Sequence, residues 1–274
     1  MPKTPADYGL RYSDVIFKTR DGVNLSGWLI NKSGSSTVIM THFGYRANRF
    51  GYQTKHQGLI KPYDKEIEFV NVAKRLVDAG YAVLMYDLRN HGISEKSKLG
   101  VGTGGVEESN DVIAAVEFVA GHEKLAGKDI GLLSYCMGAN STFYAQGKDP
   151  DLFLKLHVKA LVAMQPLTNG EFLRAYGFPK RIFKHAAAHY RKHTGYSIDE
   201  PILPYVEKVV TPTLLAQGLR DPWTNLDFVH AIYDSIPVEK KMYWIEDMTH
   251  RFDGYNWFGD HPERMLEFFR KHLQ

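Results

Sequence analysis

From residue 36 onward the chain alternates between two kinds of pattern, and this alternation limits its fold more than any other feature. Apolar or alternating runs typical of strands lie at 36–43, 81–88, 129–135, 157–165, 212–218 and 241–246. Helical patterns fall between or after them at 65–79, 106–120, 137–147, 225–235 and 262–273. Strand then helix, repeated, predicts a largely parallel sheet with helices on both faces. Two further strands, 14–19 and 25–32, follow one another through the turn signal Arg20-Asp21-Gly22. They read as an antiparallel edge and bring the expected sheet to eight strands.

Two stretches break the rhythm. Residues 44–63 carry Arg46, Arg49, Lys55 and Lys61, four aromatics and no acid. Residues 167–205 are helical in part and lie between Pro166 and Pro204. Connections this long in a domain of this size serve as lids or binding loops, and ligands of open α/β sheets bind beyond the carboxyl ends of the strands. The expected organisation is a core formed by 1–166 and 206–274, with 167–205 inserted as a helical lid.

Composition excludes several classes of function. The 274 residues hold one cysteine, so an internal disulfide framework is impossible, and a reduced thiol fits the cytoplasm. No run approaches the roughly 18 apolar residues of a membrane span, and the first residues show no apolar signal core. A net charge of +3 gives little support to a nucleic-acid partner. The expected partner is a small-molecule or carrier-linked substrate, with no cofactor and no metal.

The single cysteine stands at the end of a strand run and before a helical pattern, in Ser134-Tyr135-Cys136-Met137-Gly138. A nucleophile on a tight strand-to-helix turn needs small residues two positions before and two after it. Ser134 and Gly138 meet that demand for Cys136. Were Ser134 the nucleophile, Leu132 would occupy a position too confined for it. The register therefore selects Cys136.

With this layout the chain resembles the α/β-hydrolase family over nearly its whole length. Ile130 to Gly138 looks like the family's strand and Gly-x-Ser-x-Gly turn, with cysteine in place of serine. Asp87-Leu-Arg-Asn-His-Gly-Ile-Ser94 is similar to a segment of many members that marks the fold and carries no catalytic role. Gln217-Gly-Leu-Arg-Asp221 ends a strand on an acid, and Met248-Thr-His250 lies where the family commonly places its histidine. The resemblance implies an α/β-hydrolase fold with a mostly parallel eight-stranded sheet, helices on both faces and an inserted helical lid. It also implies a triad of Cys136, His250 and Asp221, in the family's order of nucleophile, acid and histidine. Asp247 and Asp253 are rival acids, each three residues from His250 and less suited to orienting the ring from its far side.

In such a triad His250 generates the thiolate and Asp221 fixes the imidazole. The start of the following helix favours the ionised sulfur. The oxyanion hole would take the backbone N–H of Met137 and one from the loop Thr41-His-Phe-Gly-Tyr45, where Tyr45 is the expected donor and Gly44 the alternative. A cysteine in this slot resembles dienelactone hydrolases and thioesterase or acyltransferase-like members. That resemblance implies hydrolysis of esters, lactones or thioesters through a thioester acyl-enzyme, with transfer to another acceptor, or slow-turnover ligand binding, as the alternatives. The segment Lys180 to His193 has five Lys or Arg, three His and no acid. If helical, it aligns His185, His189 and His193 on one face, and it reads either as a solvated basic surface or as a reader of an anionic substrate.

Overall fold

In a computed structural model that describes residues 3–44, 46–54, 65–175, 177 and 179–273, the chain begins with β1 (Tyr12–Lys18), β2 (Asn24–Ile30) and β3 (Thr37–Thr41). It continues through β4 (Gly51–Tyr52), β5 (Ile67–Glu68), α1 (Phe69–Asp78), β6 (Ala82–Tyr86), α2 (Ser109–Gly121), β7 (Ile130–Tyr135), α3 (Met137–Lys148) and α4 (Pro150–Lys155). Next come β8 (Val158–Met164), α5 (Asn169–Ala175), α6 (Lys180–Thr194) and α7 (Leu203–Val206). The last elements are β9 (Thr213–Gly218), α8 (Leu226–Ser235), β10 (Lys240–Ile245), α9 (Arg251–Asp260) and α10 (Glu263–His272).

Eight strands form one sheet in the order β1-β2-β6-β3-β7-β8-β9-β10. Pairings from β6 to β10 are parallel, while β2 runs antiparallel to both β1 and β6. The eight strands are those read from the sequence. The short pair β4 and β5 stands apart as a second, two-stranded sheet, with β4 in the first long connection and β5 at the start of the segment 65–79 expected to be helical, so that α1 begins only at Phe69.

Both faces are covered, and side-chain alternation shows how. Ile39, Leu84 and Leu132 point into one apolar layer with α2 and α3. Their neighbours Val38, Met40, Val83, Met85 and Leu133 enter the opposite layer with α1, α9 and α10. A parallel sheet buried on both faces needs such continuous apolar strands. β3, β6 and β7 are buried at every position. β3 ends at Thr41 and not at 43, because His42 and Phe43 leave the ladder to form the loop beside the site.

Two helices go beyond the sequence expectation. α4 starts where Asp149 accepts from Leu152 N, with Pro150 in its first turn. α9 begins directly after His250, whose ring and Asp253 cap its first turn. Among the described residues, no helix is long and apolar enough to cross a membrane.

Candidate active site

β7 delivers Cys136 to the turn before α3 with φ 51° and ψ −112°. A residue bearing a Cβ holds so strained a conformation at a cost of about 1–3 kcal/mol, so its surroundings must impose it. Cys136 N donates to Met164 O at 2.8 Å, and Cys136 O accepts from Asn140 N at 3.0 Å. At Gly138 a Cβ would lie 2.6 Å from both Thr41 O and His42 O, so α3 can approach the end of β3 only if this residue is glycine. Ser134 is fully buried, with Oγ 2.8 Å from Thr142 Oγ1. Cys136 is half-buried and borders a cleft at the carboxyl ends of the strands.

The N–H of Met137, first residue of α3, has no partner within the helix and points from its positive end. Gly44 packs against the Met137 side chain, whose Sδ would lie 2.9 Å from a Cβ at that position. Tyr45, the expected second oxyanion donor, lies outside the described residues. His42 has a structural position. Leu88 N donates to its Nε2 at 3.0 Å, so the proton is on Nδ1, which donates to Phe43 O. Burial, reinforced by neighbouring His91, lowers the His42 pKa to about 3 and keeps the ring neutral.

Asp221 follows β9 as expected, but its main partner is Arg251. The Arg251 guanidinium is completely buried and forms a close ion pair with the Asp221 carboxylate. Thr224 Oγ1 at 2.7 Å and Trp223 N at 3.0 Å also donate to that carboxylate. Burial alone would push the Asp221 carboxyl up, yet Arg251 and these donors hold it below the usual carboxylate range. Arg251 further donates from Nη1 to Thr224 Oγ1 at 2.8 Å, from Nε to Tyr255 Oη at 2.7 Å, and from Nη2 to Gln165 O.

His250 is half-buried against Trp223 and Phe252, with ring centroids 5.7 and 5.0 Å apart. Its Nδ1 accepts from Phe252 N at 3.3 Å, and its own N–H donates to Asp253 at 2.9 Å. Among the described residues, no hydrogen bond joins His250 to Asp221 or to Cys136. A buried guanidinium without a counter-charge is very costly, so Arg251 takes the acid that the expected triad gives to the imidazole. Of the rival acids, Asp253 is engaged in capping α9.

Arg251 and Tyr255 are the residues that sequence reasoning missed. Both border the cleft together with Cys136. Burial pushes the Tyr255 hydroxyl well above its ordinary range, Arg251 opposes this, and Cys136 adds to it. The available signal was the pattern His250-x-x-Asp253, a helix start that puts Arg251 and Tyr255 on one face at i and i+4.

The cleft encloses about 560 Å³. Its apolar border includes Phe43, Met137, Phe172, Trp223 and Phe252, and polar groups come from Asn48, Asn90, His91 and Asn169. Both long connections contribute, the first through Gly44 and residues 46–48, the second through Leu167, Thr168, Asn169 and Phe172. Residues of α6 do not border it. That helix carries the basic run, with Lys180, Arg181, Lys184, Arg191 and Lys192 exposed and the His189 and His193 rings 4.3 Å apart. The segment from Asp87 to Ser94 acts as scaffold. Asp87 accepts from Arg49 N at 2.8 Å and Ile93 N at 3.0 Å, and its carboxylate leaves no room for a side chain at Gly92.

The model of the alpha/beta hydrolase fold matches residues 56–187, a span that includes the turn at Cys136 and stops short of Asp221 and His250. Among solved structures, an esterase of Pyrococcus furiosus is similar at 22% identity and a TM-score of 0.71, over 99% of this chain and 96% of that one. An acetyl xylan esterase from Paenibacillus sp. R4 is similar at 17% identity and a TM-score of 0.65, over 96% and 88%. A dienelactone hydrolase from Anabaena variabilis gives 15% and 0.60, over 97% and 99%. No curated protein matches the sequence. The chain has the α/β-hydrolase fold, with a mostly parallel eight-stranded sheet.

Proposed function

We propose that this protein is a cofactor-independent acyl hydrolase acting on esters, lactones or thioesters, with Cys136 as nucleophile. The observation that carries the reading is the backbone of Cys136, held at φ 51° between β7 and α3 with its side chain at the cleft. Strain retained at a single reactive residue, with a helix N-terminus behind it, is how a nucleophile is presented in this fold. The esterases and the dienelactone hydrolase among the structural neighbours support the same class of reaction.

The thiolate attacks the acyl carbon, the carbonyl oxygen takes the negative charge, and the alcohol or thiol leaves as a thioester forms on Cys136. The N–H of Met137 is one oxyanion donor, and the loop at Gly44 and Tyr45 supplies the other. His250 serves in proton transfer. While Nδ1 accepts from Phe252 N, the neutral ring carries its proton on Nε2, so it must turn off this cap to take the thiol proton, and the imidazolium so formed protonates the leaving group. To take a proton from water in deacylation, the ring must turn off this cap. At 3.3 Å the bond is long, and releasing it costs on the order of 1 kcal/mol. The segment 167–205 acts as the lid, through residues 167–172 at the cleft border. Arg46 and His91, also at the border, suit a substrate bearing negative charge or carried on a phosphate-containing group.

Incubation with a panel of aryl esters, lactones and acyl thioesters, read by intact mass, tests the proposal. Acyl adducts are expected on the wild type and absent from Cys136→Ala. Added alcohol, amine or thiol nucleophiles distinguish hydrolysis from acyl transfer. Cys136→Ser should lose about ten-fold or more in turnover, since the site then depends on an un-ionised hydroxyl. No adduct and no turnover across the panel would refute the reading.

A further inference from the structure

We propose that Tyr255 holds the Cys136 sulfur for attack, and that Asp221 acts through Arg251 to fix Tyr255, so that the acid of this site serves a guanidinium and a phenol. The catalytic meaning of this inference rests on Cys136 being the nucleophile.

Three side chains form a continuous line toward the sulfur. The Asp221 carboxylate pairs with Arg251 Nη1, and Arg251 Nε donates to Tyr255 Oη at 2.7 Å. Tyr255 borders the cleft beside Cys136. A phenol oxygen that accepts from a guanidinium keeps its own proton free to donate, and on this proposal the Cys136 sulfur at the same cleft receives it. That donation favours the thiolate over the thiol and restricts the rotamer from which it attacks. Arg251 adds a positive charge behind the phenol.

Nothing in this line is loose. The Tyr255 ring stacks on Phe43 with centroids 4.5 Å apart and stands edge-on to Tyr135, the residue before Cys136, at 6.1 Å. Gln165 O and Thr224 Oγ1 accept from two further guanidinium N–H groups. Arg251 cannot turn away without stranding its charge in a fully buried position. On this proposal Tyr255 acts on the sulfur itself, whereas Arg251 and Asp221 are positioning residues.

The charged and titratable groups around the sulfur come from several elements. Arg251 and Tyr255 belong to α9, Asp221 lies behind them after β9, and His250 stands at the start of α9. Arg46 and His91 border the cleft from the loops after β3 and β6, and His42 is buried and neutral beneath.

The test measures iodoacetamide alkylation of the full-length protein as a function of pH, in which an S–C bond forms and iodide leaves. The chain has one cysteine, so the signal has a single source. In Tyr255→Phe the midpoint of the rate profile is expected to move up by about one pH unit, with about ten-fold slower alkylation at neutral pH. Tyr135→Phe is the control, because that hydroxyl is buried without a hydrogen-bond partner and the ring shares the same layer. It should leave the profile in place. A Tyr255→Phe profile that coincides with the wild type, or an equal shift in Tyr135→Phe, overturns the proposal.

A second measurement on the wild type does not depend on the variant folding. With tyrosine labelled by 13C at the ζ carbon, the Tyr255 resonance should titrate together with the thiolate. Its failure to do so would also overturn the proposal. Alkylation requires no substrate, so the two readings fail separately. Acyl adducts with an unmoved profile sink this inference alone, and a moved profile without adducts sinks the hydrolase reading.

Discussion

Arg89 and Arg251 are both fully buried and both face aspartates, yet their surroundings differ. Arg89 is closed off by carboxylates. Its Nε and backbone N donate to Asp111 at 2.7 and 2.8 Å, and Nη1 and Nη2 donate to Asp21 at 2.6 and 2.9 Å. It thereby ties the loop after β6 to α2 and to the β1–β2 turn, away from the cleft. Arg251 meets one carboxylate, and its other donors go to a phenol, a hydroxyl and a peptide carbonyl. It borders the cleft behind Cys136. Burial of a charge alone thus says little about function. The informative difference is that one cluster is sealed by carboxylates, whereas the other ends in a neutral hydroxyl at the cleft that Cys136 also borders.

The largest expected effect separates the two clusters. Arg89→Met should cost about 3–5 kcal/mol of stability, because the buried Asp111 loses its counter-charge. Denaturant midpoints would measure this loss. Alkylation of Cys136, corrected for the folded fraction, should stay at the wild-type rate. A slowing comparable to that of Tyr255→Phe would mean that the two arginines do not have distinct roles.

A smaller effect comes from His42, which lies between the clusters. It accepts from Leu88 N, next to Arg89, and donates to Phe43 O, whose ring stacks on Tyr255. Its folded pKa of about 3 lies below the unfolded value near 6.5. The unfolded chain therefore binds a proton that the folded chain refuses, and stability falls as pH drops below about 6.5. The expected slope is about 1.4 kcal/mol per pH unit, or about 2 kcal/mol between pH 6.5 and 5. His42→Gln should flatten this part of the unfolding free-energy profile, and an unchanged slope would assign the acid sensitivity elsewhere.

The smallest effect is at the solvent side of the Arg89 cluster. Burial tends to raise the Asp21 carboxyl, but its hydrogen bonds with Arg89 win and lower it to about 2. Its contribution is complete above the unfolded value near 3.8 and is lost as pH falls through about 2. The side chain is 42% exposed, so solvent screening reduces the value to about 1 kcal/mol. Asp21→Asn should lower stability by that amount at neutral pH, with no difference from wild type at pH 1.5 in unfolding curves.

The sheet was legible in the sequence because each strand is a local pattern. A strand buried on both faces must be apolar along its length, as in Ala82–Tyr86 and Ile130–Tyr135. α9 was not legible. Gly254 and Gly259 look like helix breakers in sequence, but at Gly254 a Cβ would lie 2.2 Å from Gln165 Oε1 and at Gly259 one would lie 2.6 Å from Asn71 Nδ2. These glycines serve close packing, and that requirement arises only from segments distant in the chain.

The same distinction applies to the candidate site. The position of Cys136 on the turn follows from local demands, namely a strand before it, a helix after it and a glycine two residues on. The sequence by itself therefore determined the sheet, its antiparallel edge and the register of the elbow. The partner of Asp221 was decided only by tertiary structure. Arg251 and His250 are adjacent in sequence and both lie within reach of the acid by order and spacing. Once the fold buries the guanidinium completely, its desolvation must be offset, whereas a neutral imidazole at the half-exposed start of α9 carries no such requirement.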